Sequence, residues 1–564
     1  MKRWIFLAGL LIWAAGAVVV CELRKVDVPL SPAALLYLVA DTEQELTRMP
    51  VSFTRMSDEE EIRIGNELAR VYGRNQERGD TPEIGIIERH LTRIGEPVAV
   101  NAHRRLPYKF HYIPDSYFVN AFALPGGHVF VGGGLLALMD SEDELAAVLG
   151  HEIEHIDHYD CSERVQREQA LRKIPLGGLF EIPIEVFEAG YSKDQELQAD
   201  RDGTKLAVKA GYSANGAMRM FETLARLFRE SQSRAKTPQQ ELSRVAEQTL
   251  EGYFRSHPLP SERIAQVQKL IADEGWAARP ERDLAIAYIF WTDKAQNALT
   301  ANKYAEAEQS AAQSLKLRPD QPKALLTLAQ ARFAQANFNG EADAFRKILE
   351  IDKTSHPEII TAYAHALAAA DQRSAPAQFQ DWVRTVDGDK PREIAVAEAG
   401  LALINGATDA PRRLESELSA SSNASAPLQL GDLAWWEYLA GNYSVAAEWF
   451  RSAQQLRPTE GKLVIGLSWS LIEMRRYADA LGVLAASGYE PRNYPEMEMA
   501  TAVARWQAQE KEQAMVNFNT AVAGQPEWDN ANWVRALYSP LVARTIQEMQ
   551  AERERRKKEK SHST

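Results

Sequence analysis

Cysteine is nearly absent from this chain: Cys21 and Cys161 are the only two in 564 residues. That scarcity excludes a disulfide framework and a cysteine-ligated zinc ribbon. Basic charge is also in deficit, with Lys+Arg 65 against Asp+Glu 78 and a net charge of −13. A dedicated nucleic-acid binder would carry a basic footprint, so no nucleic-acid partner is expected. Long apolar runs are missing apart from one, Trp4 to Val20, which excludes a polytopic membrane protein. What remains is an ordinary globular balance, 45% apolar and 25% charged. The length suits about three or four domain-sized units.

The apolar run follows Lys2 and Arg3, the order of an export signal or an anchor. Ala15-Gly16-Ala17 offers a cleavage site. Cys21 offers lipidation, although Val20 before it fits that processing poorly. At 1.5 Å per residue the run spans about 26 Å, slightly short of a bilayer core, so a retained inner-membrane anchor is a third reading. All three place the bulk of the chain outside the inner membrane, with any membrane association made through residues 1–21.

Capping boxes punctuate the next part. Ser57 with Glu60 opens a helix to about Tyr72, and Ser141 with Glu144 opens one that runs through residues 151–155. Ser192 with Gln195 opens a helix that stops near Gly211, and a further helix is predicted over Glu83–Ile94. Between them the pattern turns β-branched and aromatic. Tyr117–Leu124 and His128–Val131 read as two strands joined at Pro125-Gly126-Gly127.

Beyond about residue 280 the chain becomes Ala-rich and repeats itself at a spacing of 34. Tyr443 and Tyr477 are one period apart. Ala446, Ala480 and Ala514 keep the same step, as do Phe450, Leu484 and Phe518. Upstream, Tyr304 and Phe338 repeat it. The small alanines let paired helices approach closely, and Pro458 and Pro526 close repeats. This pattern resembles the tetratricopeptide repeat; residues 372–428 fit it poorly. The predicted organisation is therefore a leader at 1–21, a first domain at 22–275, helical repeats at 276–545 and a charged tail at 546–564, of which 551–564 is expected to be frayed helix or disordered.

Chemistry concentrates in His151-Glu152-Ile153-Glu154-His155, an H-E-x-x-H on a predicted helix. Positions i and i+4 share a face, so both imidazoles can reach one ion. Zinc suits them, and Glu152, one residue round, faces a water rather than the ion. A catalytic zinc needs a third protein ligand and an open position. Glu196 can supply the ligand, with Asp200 one turn on able to orient a ligand imidazole from behind. Apolar Leu145, Val148 and Leu149 upstream argue that this helix is buried. Cys161 has no Cys-His-Asn context, His128 belongs to the strand hairpin, and His158 lies behind the site or on the surface.

H-E-x-x-H followed by Glu196-Leu197-Gln198-Ala199-Asp200 resembles the HtpX-like, CaaX-prenyl-endopeptidase-related family of zinc metallopeptidases, a gluzincin group. Asn120 to His128 is similar to that family's most recognisable stretch, and Ser256-His257-Pro258 with Arg263-Ile264 to its C-terminal motif. The likeness covers about residues 57 to 270. With a leader before it and repeats behind, the whole chain resembles the periplasmic beta-barrel assembly-enhancing protease group. The resemblance implies an α+β gluzincin-type metallopeptidase domain, mainly helical with a small sheet, followed by an all-α tetratricopeptide-repeat solenoid. It implies one zinc per chain on His151, His155 and Glu196, with Glu152 as general base and acid in peptide hydrolysis. An edge strand containing Asn120, Ala121 and Phe122 would bind substrate backbone. His257 would face the site, either stabilising the oxyanion or filling the open position and shutting the enzyme off. Arg263 would pair with an acid near the site or fix the fold. The implied clients are unfolded or misassembled outer-membrane proteins in the periplasm, held by the repeats, with envelope assembly machinery as a further partner; the alternative is a chaperone-like scaffold with a largely latent protease. Glu154 and Tyr159-Asp160 depart from the family pattern, and neither is expected to touch a ligand.

Overall fold

The computed structural model describes residues 56–75, 81–172, 191–234, 260–351, 357–386, 392–407, 426–458, 460–488 and 494–562. The N-terminal apolar run and His257 lie outside them. Among the described residues no helix is long and apolar enough to cross a membrane. The chain divides into two compact units, Met1–Phe290 and Trp291–Thr564.

In the first unit, helices α1 (Asp58–Asn75) and α2 (Pro82–Ala99) precede strands β1 (Lys109–Ile113), β2 (Ala121–Leu124) and β3 (His128–Gly132). Four further helices follow: α3 (Glu142–Asp157), α4 (Asp160–Arg172), α5 (Lys193–Lys209) and α6 (Asn215–Arg234). Helix α7 (Pro260–Asp273) completes the set that matters here. Both capping boxes at the site helices form: Ser141 accepts from Glu144 N and Ser192 from Gln195 N, each answered by the reciprocal bond.

The sheet has order β1-β3-β2, with β1 parallel and β2 antiparallel to β3. Two readings change. Strand β1 is an element of its own, because its alternation pairs Phe110 with Val129 and Tyr112 with Val131. The strand expected to begin at Tyr117 begins at Ala121. Asp115 draws Tyr117–Val119 into a turn instead, its carboxylate accepting from Tyr117 N at 2.8 Å and its carbonyl from Phe118 N at 3.2 Å. Phe122 stacks on Phe130 at 5.1 Å, inside the cluster of Ile64, Leu68 and Ile113.

Helices α3 and α5 cross at two glycines. A Cβ on Gly150 would lie 2.5 Å from the Gly203 carbonyl oxygen, and one on Gly203 would lie 2.6 Å from His151 N. No side chain larger than hydrogen fits at either position.

The second unit is a stack of helix pairs with the expected period. Ala446, Ala480 and Ala514 are fully buried, as are Phe450 and Phe518. The turn inside each pair also repeats, since Asn302 and Ala336, then Gly441, Arg475 and Gln509, are left-handed at a spacing of 34. Helix Pro540–His562 is continuous and buries Ile546 and Met549, so the tail begins later than 546, and the segment expected to fray is helical to His562 and mostly exposed over 551–559. The poorly fitting stretch keeps two helices, Ala375–Val383 and Arg392–Ile404.

The expected boundary at 275 cuts short the first unit. Arg282 N donates to Asp143 at 2.8 Å, Arg282 O accepts from Glu142 N at 2.8 Å, and Leu284 N donates to Asp140 O at 3.0 Å. These bonds tie residues 282–284 to the start of α3. A fragment from residue 22 to 290 is expected to be more stable in urea than one ending at 275, by about 2 kcal/mol or more for the buried groups left unpaired. Equal midpoints and slopes would contradict that.

Candidate metal centre

The crossing of α3 and α5 sets four acidic and imidazole side chains face to face. His151 Nε2 lies 3.4 Å from Glu196 Oε2, and His155 Nε2 lies 3.6 Å from Glu196 Oε1. The two Nε2 atoms are 3.2 Å apart. His155 and Glu196 are fully buried, and His151 nearly so. Glu152, also buried, lines the adjoining cavity with His151, Ala121, Phe221 and Arg263.

The far nitrogen of each imidazole is held by a carboxylate. Asp200 Oδ1 sits 2.8 Å from His151 Nδ1, as the sequence led one to expect. Asp160 Oδ2 sits 2.9 Å from His155 Nδ1, which corrects the expectation that Asp160 touches no ligand. The reason is the turn before it. Tyr159 is left-handed at φ 65, so the chain reverses and α4 starts with Asp160 facing back to α3. Arg104 lies over the Tyr159 ring at 3.8 Å and holds that turn.

These anchors are themselves held. Arg263 Nε donates to Asp200 Oδ2 at 2.6 Å and its Nη2 to Oδ1, while the guanidinium lies over Phe221 at 4.3 Å. Arg263 is thus the partner of an acid behind the site, as one of its two readings had it. Gln195, the reciprocal member of the α5 capping box, donates to Asp160 Oδ1. One residue therefore closes the helix cap and fixes the carboxylate behind His155. Tyr191 stacks on the His155 ring at 4.0 Å and accepts Arg164 over its own face at 3.9 Å. Tyr191 and the glycine pair were not singled out in the sequence, Gln195 was read only as a helix cap, and Asp160 only as a departure from the family pattern. Only the glycines inside two helices, costly there without a packing reason, carried a readable signal.

Electrostatics follow from this geometry. Burial opposes the charged form of His151, but hydrogen bonds and charge from Asp200 and Glu196 outweigh it and raise its pKa to about 10. Burial likewise pushes Asp200 up, and Arg263 with His151 holds it below its ordinary range all the same. The protein has thus gathered negative charge around two imidazoles that only a proton or a cation can answer. Two imidazole nitrogens and a carboxylate oxygen, mutually within 4.8 Å, fit a divalent ion of the zinc class. Cys161 is fully buried beside Tyr191, and burial drives its thiol pKa upward, away from nucleophile chemistry.

Asn120 is buried with its side-chain oxygen unpaired by any hydrogen bond. Its carbonyl accepts from Gly132 N at 2.9 Å. By strand alternation the backbone groups of Ala121 and Ala123 point away from β3. Cys161 Sγ reaches the Ala123 carbonyl at 3.6 Å, while Ala121 lines the cavity. Phe122 faces the core, so its ring does not line the cavity.

Replacing Asp160 with Asn should lower metal affinity by about 10–100-fold, because the imidazole loses its charged partner. Competition with a chromogenic chelator reads this directly. Gly203→Ala should destabilise the first unit by about 1–3 kcal/mol through overpacking at the crossing. Thermal unfolding at the wild-type midpoint would contradict it.

Comparison with known proteins agrees with this geometry. The model of Peptidase family M48 matches residues 87–181 and 178–271. A beta-barrel assembly-enhancing protease of Yersinia pestis is 26% identical over 238 residues, 38% of this chain and 44% of that one. One from Escherichia coli K12 is 25% identical over 255 residues, 41% of this chain and 47% of that one. The mitochondrial metalloendopeptidase OMA1 of Schizosaccharomyces pombe is 30% identical over 168 residues, 28% of this chain and 49% of that one. The matched segment covers less than half of each of these relatives. Among solved structures, a tetratricopeptide repeat protein from Parabacteroides merdae aligns with 46% of this chain and 98% of its own at 15% identity and TM-score 0.30. Residues 87–271, within the first unit, are thus similar to Peptidase family M48.

Proposed function

We propose that the chain is an exported zinc endopeptidase that acts on misfolded or stalled outer-membrane proteins, with the client held by the repeat unit. The carrying observation is the buried set of His151, His155 and Glu196, each imidazole backed by its own carboxylate, with Glu152 at the cavity beside them. Bound zinc would supply a Lewis acid that polarises the peptide carbonyl and acidifies water.

The remaining roles belong to the chain. Asp200 and Asp160 keep the lone pairs of His151 and His155 directed at the centre. Glu152 takes the proton of the attacking water and passes it to the leaving amine. A substrate strand adds to β2 at Ala121, and Asn120 pairs one of its peptide groups. Apolar Leu135, Ala217, Met220 and Phe221 line the same cavity and keep it dry. The names of the bacterial relatives support the client class, and the apolar run at residues 4–20 supports export with residues 1–21 as cleaved signal, anchor or lipidated terminus. The stacked helix pairs of the second unit support a partner-holding surface. His257, outside the described residues, keeps both of its readings as oxyanion donor or removable stopper.

Glu152→Gln should retain metal and lose cleavage of an unfolded protein such as casein, by about 10²–10⁴-fold for loss of the general base. In the cell envelope the same variant should accumulate uncleaved clients in a comparative proteome. Undiminished cleavage would remove Glu152 from the reaction, and absence of outer-membrane proteins among the accumulated species would remove the client assignment while leaving the peptidase.

A further inference from the structure

A second set of donors converges one turn further along α3. Glu154 and His158 are i and i+4, and Asp202 reaches them from α5. His158 Nε2 lies 3.2 Å from Glu154 Oε2 and 3.9 Å from Asp202 Oδ2. The corresponding spacings at the first centre run from 3.2 to 3.6 Å. The three donor atoms likewise lie within 4.8 Å of one another.

Three features point to a ligand there. The Glu154 side chain is 1% exposed, and its Oε2 atom, turned to His158, makes no hydrogen bond. A buried carboxylate oxygen without a hydrogen-bond donor is costly unless something else answers it. The cluster also sits at the C-terminal end of α3, where His158 is the cap residue and its N–H donates to the Glu154 carbonyl at 2.8 Å. That end of the helix carries the negative pole of the dipole and favours a cation. Finally, the Gln198 amide lies 3.4 Å from His158 Nε2. Turned about its last bond, it offers an oxygen as a fourth donor.

We propose that Glu154, His158 and Asp202 form a second site for a divalent ion of the zinc class, separate from the peptidase centre. One imidazole with two carboxylates is a donor set such ions accept. The ion would join α3 to α5, the two helices whose crossing builds the first centre. It has a built-in competitor. Arg201 donates to both oxygens of Asp202, at 2.9 and 2.7 Å, and Lys205 lies 3.7 Å away. The Arg201 side chain is 44% exposed, so it can withdraw into water when an ion arrives.

The test uses the full chain stripped by a chelator and re-equilibrated with Zn2+ at a series of free concentrations, the bound metal being counted by mass spectrometry. Wild type should fill in two steps. Glu196→Ala should lose one step, and His158→Ala or Asp202→Asn the other. Zinc should raise the melting temperature of Glu196→Ala and leave that of Glu196→Ala with Asp202→Asn unmoved. Arg201→Ala should shift the second step to lower free zinc. A single step in wild type overturns the proposal, and so does a second step that survives Asp202→Asn, the partly exposed position where folding is least at risk.

Discussion

The two helices that present ligands to the centre come close enough for their backbones almost to touch, and the Gly150–Gly203 contact is where that happens. Every distance at the centre descends from it. His151 follows Gly150 directly, and Glu196 and Asp200 lie within two turns before Gly203. A methyl group at either glycine would meet backbone atoms rather than a yielding side chain. The crossing also explains why the capping boxes matter. Ser141 and Ser192 fix where each helix begins, and so fix which residues arrive at the contact.

Around the crossing the chain has built charge in layers. Glu196 faces the two imidazoles, Asp200 and Asp160 stand behind them, and Arg263 and Gln195 stand behind those. Each layer removes a degree of freedom from the one inside it, which is how a small domain keeps ligands in place without disulfides. The layers come from four helices, and from a left-handed turn at Tyr159 that brings Asp160 back to α3. The proposed peptidase chemistry thus rests on ordinary devices of helix capping and close packing.

Much of this was legible from residues alone. H-E-x-x-H and Glu196 with Asp200 are local patterns with helical spacing, and local patterns survive without knowledge of the fold. The repeat was legible for the same reason, since one period governs Ala446, Ala480 and Ala514. Asp160 was not, because its partnership with His155 depends on a chain reversal that no spacing rule describes. Strand β1 was hidden by its short run, and the turn at Tyr117 by aromatic residues that read equally well as strand. Arg282 and Leu284 were assigned to the wrong side of a boundary because composition changes before the packing does. Glu154 read as a departure from the family pattern, and only the fold brings His158 and Asp202 together with it.

The most direct measurement is anomalous diffraction at the zinc edge from crystals of the metal-loaded chain. The account predicts a peak bounded by His151 Nε2, His155 Nε2 and the Glu196 carboxylate, with ligand distances of about 2.0–2.2 Å. A zinc-loaded crystal with no peak between α3 and α5 at these three side chains would contradict it.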